Sequence, residues 1–245
     1  MIYFLAPAFN EESNLEKLAG TIDKLIKKSY RLIIVNDGST DKTFQSAKRL
    51  QRNYPVIPLG YAKNRGPGHA FKFGIDYFLK KATQKDMLIT IEADNTSDLS
   101  VVPKMINLTQ KYDVIVASPF EKGGGFISVS ATRKILSHGY QIFLGIIFGI
   151  NGASSYGNFF RAYRTDILQK AKRHFGKELI SETGFSSAAE LLIKMDRIGA
   201  KITSVPVKID WTKRQGKSKM KIFEYIKRQV IFVFKYKLLS SYFLK

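Results

Sequence analysis

Two acids one residue apart, Glu92 and Asp94, follow the apolar run 87–91 and lead into Asn95. Carboxylates at the carboxyl end of a buried strand project from the edge where an open α/β sheet takes its ligand. Such a pair suits a hard divalent cation that also carries phosphate oxygens. An acid recurs after a second apolar run, 32–35, where Asn36-Asp37-Gly38-Ser39-Thr40-Asp41 forms a turn. Asn10, Glu11 and Glu12 follow a third run, 2–6, and Asn64 opens the Gly-rich stretch Arg65-Gly66-Pro67-Gly68. A solvated turn explains any one of these taken singly. Late in the chain Lys213, Arg214, Lys217, Ser218 and Lys219 surround Gly216, and all five can donate to phosphate oxygens.

The elements that must position these groups follow from periodicity. Continuous apolar runs at 2–6, 32–35, 56–59, 87–91 and 114–117 read as buried strands, and helical spacing fills the intervals between them. Ser13 with Glu16 reads as a capping box opening a helix to about residue 28. Ser39 to Asp41 can cap the next helix, to about residue 53, and a third runs to about residue 81. Strand–helix–strand units of this length imply parallel pairing, with the loops 10–12, 36–41 and 92–95 on one edge. Beyond Ser118 the alternation breaks: Gly123-Gly124-Gly125 reads as a mobile lid, and 158–163 and 201–207 as further strands. The apolar run 142–150 is too short to span a bilayer and reads either as a buried helix or as a segment lying in the membrane interface. Glu190 falls on the helical pattern 187–198, where a lone Glu is ordinarily a surface or capping residue.

Composition narrows the function classes. The 245 residues suffice for one sizeable core. Forty Lys+Arg against twenty Asp+Glu give a net charge of +20, which favours phosphates, anionic lipid or nucleic acid. Residues 201–245 hold twelve Lys+Arg and two Asp+Glu, a net of +10, beside an apolar stripe. That pattern is a basic amphipathic helix over 220–245 suited to an anionic membrane surface, or a helix closing over the sheet. No nucleic-acid recognition motif accompanies the charge, so nucleic acid is not expected. With no cysteine and three scattered histidines, neither a disulfide framework nor a zinc site is expected. The start of the chain lacks a signal-peptide pattern, and a cytoplasmic protein is expected.

Together the motifs resemble the family 2 glycosyltransferases of the GT-A fold, and most closely the dolichyl- or polyprenyl-phosphate mannosyl- and glucosyltransferases. The resemblance rests on 7–12, 36–41, Asn64-Arg65-Gly66 with Gly68 and Ala70, Glu92-Ala93-Asp94, Arg133, 160–163, 190–192 and 216–219. It implies an α/β nucleotide-diphospho-sugar transferase fold over 1–219, with a mostly parallel central sheet, helices on both faces and the C-terminal helical extension. It further implies that Pro7, Ala8, Asn10, Glu12 and Asp37, with Asn64 and Glu92, bind the nucleotide. Asp94 and Glu92 would hold Mg²⁺ or Mn²⁺. Arg133 would bind the diphosphate, and Lys213, Arg214, Lys217 and Lys219 donor or acceptor phosphate. Asp94 and Arg133 are thereby the expected catalytic groups, and Glu190 or Glu182 the base if the acceptor is a hydroxyl.

The activity implied is inverting sugar transfer from a GDP- or UDP-sugar to a polyprenyl phosphate at the inner, cytoplasmic face of a membrane, by a protein held there peripherally. A membrane-protein partner or a homo-oligomer is compatible with it. The alternatives are transfer to a sugar hydroxyl in a polysaccharide or glycolipid, and an inactive or nucleic-acid-binding relative. Departures from the family pattern are Glu92 where Asp is usual, Ser118-Pro119-Phe120 where Ser-Arg is usual, Ser155 to Phe159 before the 160–163 motif, and Lys213 at the late arginine.

Overall fold

The structure, a computed structural model, describes residues 1–213 and 231–237. Its centre is a seven-stranded sheet. The first four strands in space are β3 (Val56–Tyr61), β2 (Tyr30–Asp37), β1 (Ile2–Ala8) and β4 (Met87–Thr90), followed by β7 (Arg161–Arg164), β5 (Val114–Ser118) and β8 (Ile202–Pro206). All neighbours are parallel except β7, which runs antiparallel to both β4 and β5. A small second sheet pairs β6 (Gly125–Ile127) with β9 (Lys208–Asp210).

Alternation along the strands builds two cores. On β1, Tyr3 and Leu5 face one side with α3 (Pro67–Lys81), α6 (Thr165–Phe175) and α7 (Ser186–Arg197). Ile2, Phe4, Ala6 and Ala8 face the other, against α1 (Leu15–Leu25), α2 (Thr43–Leu50) and α4 (Val102–Leu108). Burial on both faces is why these strands are continuously apolar rather than alternating. The mostly parallel α/β sheet with helices on both faces is thus present.

Local boundaries differ from the sequence reading for identifiable reasons. Helix α1 starts at Leu15 with Asn14 at its N-cap rather than Ser13, and the Asn14 amide donates to Glu11 Oε2 at 2.6 Å, so the Ser13–Glu16 capping box does not form at that end. The stretch read as one helix from residue 98 is a 3₁₀ turn, Leu99–Val101, followed by α4. The tri-glycine run is anchored rather than loose, since Gly125 N–H donates to Val207 O and the chain continues as β6.

The run read as buried or interfacial lies in α5 (Ala131–Phe148), capped by the Ser130 side chain and ended by left-handed Gly149. Residues 231–237 are helical and place Phe232 and Tyr236 in the core shared by α3, α6 and α7. Arg214, Lys217, Lys219 and the remainder of the expected 220–245 helix lie outside the described residues.

Candidate active site

Three loops leave the carboxyl edge of β1, β2 and β4 and are tied together by side chains the sequence had singled out. Asn10, in a left-handed conformation (φ 55°), accepts from Thr40 N–H at 2.9 Å, and its own N–H donates to Ser39 Oγ at 3.0 Å. Glu12 accepts from Lys42 N–H at 2.7 Å. Asn95, also left-handed (φ 60°), donates to Asn14 O at 3.0 Å and so fastens the Glu92–Asn95 loop to the start of α1. Asn tolerates that conformation better than most residues, which accounts for its recurrence at both turns.

Asp37 is 2 % exposed. Its Oδ1 accepts from Tyr61 OH and Arg65 N–H, each at 2.8 Å, and its Oδ2 from Asn64 Nδ2 and Gly66 N–H, each at 3.0 Å. Gly38 (φ 63°) lets the two loops touch, because a Cβ there would strike the backbone of Lys63 and Asn64. Burial, and then the Asp37 hydrogen bond, push the Tyr61 hydroxyl far above its ordinary pKa. Asp37 and Asn64 therefore close the β3–α3 loop on β2. Asp37→Ala should strand several donors at once and lower stability by about 1–3 kcal/mol; a denaturant midpoint equal to wild type would refute this.

An opening lies next to this network. A cleft of about 360 Å³ is bordered by Asn36, Ser39, Phe44, Gln45, Gly60 and Tyr61. Asn36 is not among the site residues the sequence suggests; its place near the end of β2, paired with Gly60 of β3, brings it there. Its Oδ1 accepts from Ser39 N–H at 3.2 Å, which orients the amide at the mouth of the cleft. Pro7 and Ala8 complete β1, with Ala8 buried in the core, so any ligand contact of Ala8 is through backbone. The glycines after Asn64 serve packing: a Cβ at Gly68 would collide with Glu182 O, and Gly68 N–H donates to Thr183 O at 2.8 Å.

At the acidic stretch, Asp94 Oδ1 accepts from Thr96 N–H at 3.1 Å and Thr96 Oγ1 at 2.8 Å, which fixes the carboxylate, while Glu92 Oε2 lies 3.4 Å from Ser97 Oγ. The same Thr96 accepts through its carbonyl from Asp210 N–H at 2.8 Å, and Ser97 bridges to Ile209. The end of β9 is thereby held against the acids, and the 3₁₀ turn Trp211–Lys213 begins there. The Arg133 guanidinium, on the first turn of α5, stacks 4.4 Å from the Trp211 ring. Trp211 is the only tryptophan of the chain. The fold thus brings Glu92, Asp94, Arg133 and Lys213 to one edge, anionic and cationic groups joined through Thr96, Asp210 and Trp211.

A model of glycosyl transferase family 2 matches residues 3–171. The chain belongs to that family. A dolichol-phosphate mannosyltransferase of Pyrococcus furiosus is 30% identical over 230 residues, which cover 91% of this chain and 61% of that protein. The chain therefore spans less than two thirds of that relative's length. An undecaprenyl-phosphate mannosyltransferase of Micrococcus luteus is 24% identical, covering 88% of this chain and 86% of its own. Among solved structures, glucosyl-3-phosphoglycerate synthase of Mycobacterium tuberculosis, in complex with Mn²⁺, UDP-glucose and phosphoglyceric acid, superposes with a TM-score of 0.65 at 17% identity. That match covers 98% of this family 2 chain and 79% of the synthase chain, and it shows the shared fold.

Glu190 is not brought to this edge. It is fully buried on α7 and accepts from Ser181 N–H (2.9 Å), Ser181 Oγ (2.6 Å), Glu182 N–H (2.8 Å), Lys194 Nζ (2.6 Å) and the Tyr236 hydroxyl. Its oxygens are engaged by a buried network that ties α7 to the 181–182 turn and to the helical residues 231–237. Glu182 pairs with Lys235 at 2.9 Å.

Proposed function

We propose that the protein transfers a sugar from a GDP- or UDP-sugar to a polyprenyl phosphate at a membrane surface, with inversion at the anomeric carbon. The observation that carries this reading is the junction of Glu92 and Asp94 with Arg133, Trp211 and Lys213 at one edge of the sheet. Relatives named for dolichol phosphate and undecaprenyl phosphate support the acceptor class. In the reaction, an acceptor phosphate oxygen forms a bond to the anomeric carbon as that carbon's bond to the donor diphosphate breaks, and the nucleoside diphosphate leaves with the electron pair.

Glu92 and Asp94 are hard oxygen donors of the kind Mg²⁺ or Mn²⁺ prefers. Among the described residues no cluster of three or more His, Cys, Asp or Glu side chains converges, which fits a cation shared with donor phosphates rather than caged by protein. Such a cation would neutralise charge developing on the leaving diphosphate. Arg133, held flat against Trp211, and Lys213 offer the cationic groups for diphosphate or acceptor phosphate, and preorganised charge of this kind acts most strongly in the transition state. Arg214, Lys217 and Lys219 are proposed to extend the set.

An acceptor phosphate is already anionic near neutral pH. No strong base is then required, and the commitment of Glu190 to its buried network favours phosphate over a sugar hydroxyl as nucleophile. A location on the cytoplasmic face, where nucleotide sugar and lipid phosphate would meet, belongs to the same proposal. Screening UDP- and GDP-sugars with and without Mn²⁺ or Mg²⁺ should reveal one donor that stabilises the fold by about 2.7 kcal/mol at a hundredfold excess over Kd, roughly 5–10 °C. Product analysis with that donor should then give a glycosyl phosphate lipid; transfer only to sugar hydroxyls would overturn the acceptor assignment.

A further inference from the structure

The loop 181–184, which leads into α7, touches two parts of the chain that are far apart in sequence. On one side it meets the start of α3. Thr183 O accepts from Gly68 N–H at 2.8 Å. The approach is so close that a Cβ at Gly66 would come to 2.5 Å from Thr183 O, and one at Gly68 to 2.1 Å from Glu182 O. Backbone meets backbone there, which only glycine permits. The neighbouring Arg65 and Gly66 N–H groups donate to Asp37, the carboxylate that also holds the Tyr61 hydroxyl beside the Asn36 cleft. The position of loop 181–184 is therefore passed to the cleft through three residues, Gly68, Gly66 and Asp37.

On its other side the loop is held by polar contacts rather than by packing. Ile180 before it and Ser186 after it are buried, but none of residues 181–184 is. Glu190 takes the Ser181 and Glu182 N–H groups. Lys235 Nζ reaches Glu182 Oε1 at 2.9 Å and Ser181 Oγ at 3.3 Å. The Tyr236 hydroxyl donates to Glu190 and lies 3.2 Å from Ser181 Oγ. The helical segment 231–237 that carries both residues is seated by the buried rings of Phe232 and Tyr236, and Arg197 Nη2 donates to Tyr236 O at 3.0 Å. Lys235, Lys194 and Arg197 stand 5.4, 5.6 and 5.9 Å from the centre of the Tyr236 ring, so the ring is enclosed by cations as well as by the core. A short element held through a few residues can open locally at a lower free energy than the whole fold.

We propose that residues 231–237 form a positioning strap for the nucleotide side of the site. Lys235 and Tyr236 fix loop 181–184, the loop fixes Gly66 and Gly68, and these hold Asp37 and Tyr61 in the arrangement that receives a nucleoside diphosphate. Lys235 and Tyr236 are thereby positioning residues that act on donor binding through Thr183, without touching the donor. The ligand class rests on the nucleotide-sugar reading; the mechanical link from strap to loop rests on the contacts alone.

The test compares the full-length Lys235→Ala/Tyr236→Phe variant with wild type. Tyr236→Phe keeps the ring in the core and removes only the hydroxyl, and the Lys235 side chain is 41 % exposed, so the fold should survive. Ile22→Val, in the core on the opposite face of the sheet, supplies a destabilised control with the strap intact. Amide hydrogen exchange at Gly68 should be about three- to tenfold faster in the strap variant and unchanged in Ile22→Val. The Kd of UDP or GDP with Mn²⁺, and the KM for the matching donor, should rise by a similar factor of about three to ten, with kcat at saturating donor within about twofold of wild type. Equal Gly68 exchange in wild type and the strap variant would overturn the proposal. So would equal acceleration in Ile22→Val, which would mark a general loss of stability, or faster exchange with unaltered nucleotide affinity. A wild type that binds neither UDP nor GDP would overturn the nucleotide reading instead, and the exchange comparison would still decide whether the strap holds the loop.

Discussion

Asp94→Ala is expected to reduce sugar transfer by about a thousandfold or more, because it removes a carboxylate that would hold the divalent cation offsetting charge on the leaving diphosphate. Thr96 clamps one oxygen of this carboxylate by two hydrogen bonds, so its direction is set before any ligand arrives. Asp94→Asn separates charge from placement. The amide oxygen can still accept from Thr96, and the folded state should melt within a degree or two of wild type, roughly the span of an unperturbed surface site. Turnover should fall nearly as far as in the alanine variant, and nucleotide-dependent Mn²⁺ binding, followed by its paramagnetic signal, should be lost. Retained metal-dependent transfer in either variant would sink the assignment. Glu92→Gln should do less harm, since Glu92 reaches the edge on a longer arm and the amide keeps an oxygen that can accept from Ser97.

The second large effect lies in the interior. Glu190→Ala leaves Lys194 buried without its counter-charge, and breaking such a pair costs about 3–5 kcal/mol, roughly 6–20 °C in melting temperature for a chain of this size. Lys194 also donates to Glu178 O, so the ammonium cannot simply swing to solvent. Burial raises the Glu190 pKa, but the Lys194 charge and the hydrogen bonds from Lys194, Ser181 and Tyr236 outweigh it and hold the carboxyl below its ordinary 4.5. A depressed carboxyl stabilises the fold fully above that ordinary value, and the contribution is lost as pH falls through the lower folded value. Wild type should therefore lose stability on acidification below about pH 4.5, and Glu190→Ala should show a flatter acid limb. Wild-type stability in Glu190→Ala together with lost turnover would restore a catalytic role to this residue.

Glu190 also illustrates what the sequence could not disclose. Its partners are one helical turn away at Lys194, across a loop at Ser181, and 46 residues on at Tyr236. Only the first is local. Asp37 is the converse: an acid ending a buried strand looks like a ligand group, yet its donors arrive from residues 61–66, which no local pattern announces. The parallel strands themselves were readable as apolar runs because both faces are buried, and β1, β2, β3, β4 and β5 fall where those runs lie. Strand β7 was legible as a strand from its alternation, but not its antiparallel insertion, since direction depends on which neighbours it finds. The acids at 92 and 94 were legible as a site candidate from type and position alone; the stacking of Arg133 on Trp211, between residues 78 positions apart, was not.

The insertion of β7 has a consequence for how the molecule comes apart. Among the described residues its two short ladders are the strand pairing within the main sheet that joins β3-β2-β1-β4 to β5-β8. Loosening β7 leaves one half-sheet with the Asn36 cleft and the acids, and another with the origin of the loop toward Arg133 and the strand leading to Trp211. The candidate site therefore lies along a seam between the two halves of the sheet. Opening that seam requires release of β7 together with the Thr96–Asp210 and Ser97–Ile209 contacts, so the alignment of anionic with cationic groups is tied to the integrity of the sheet itself.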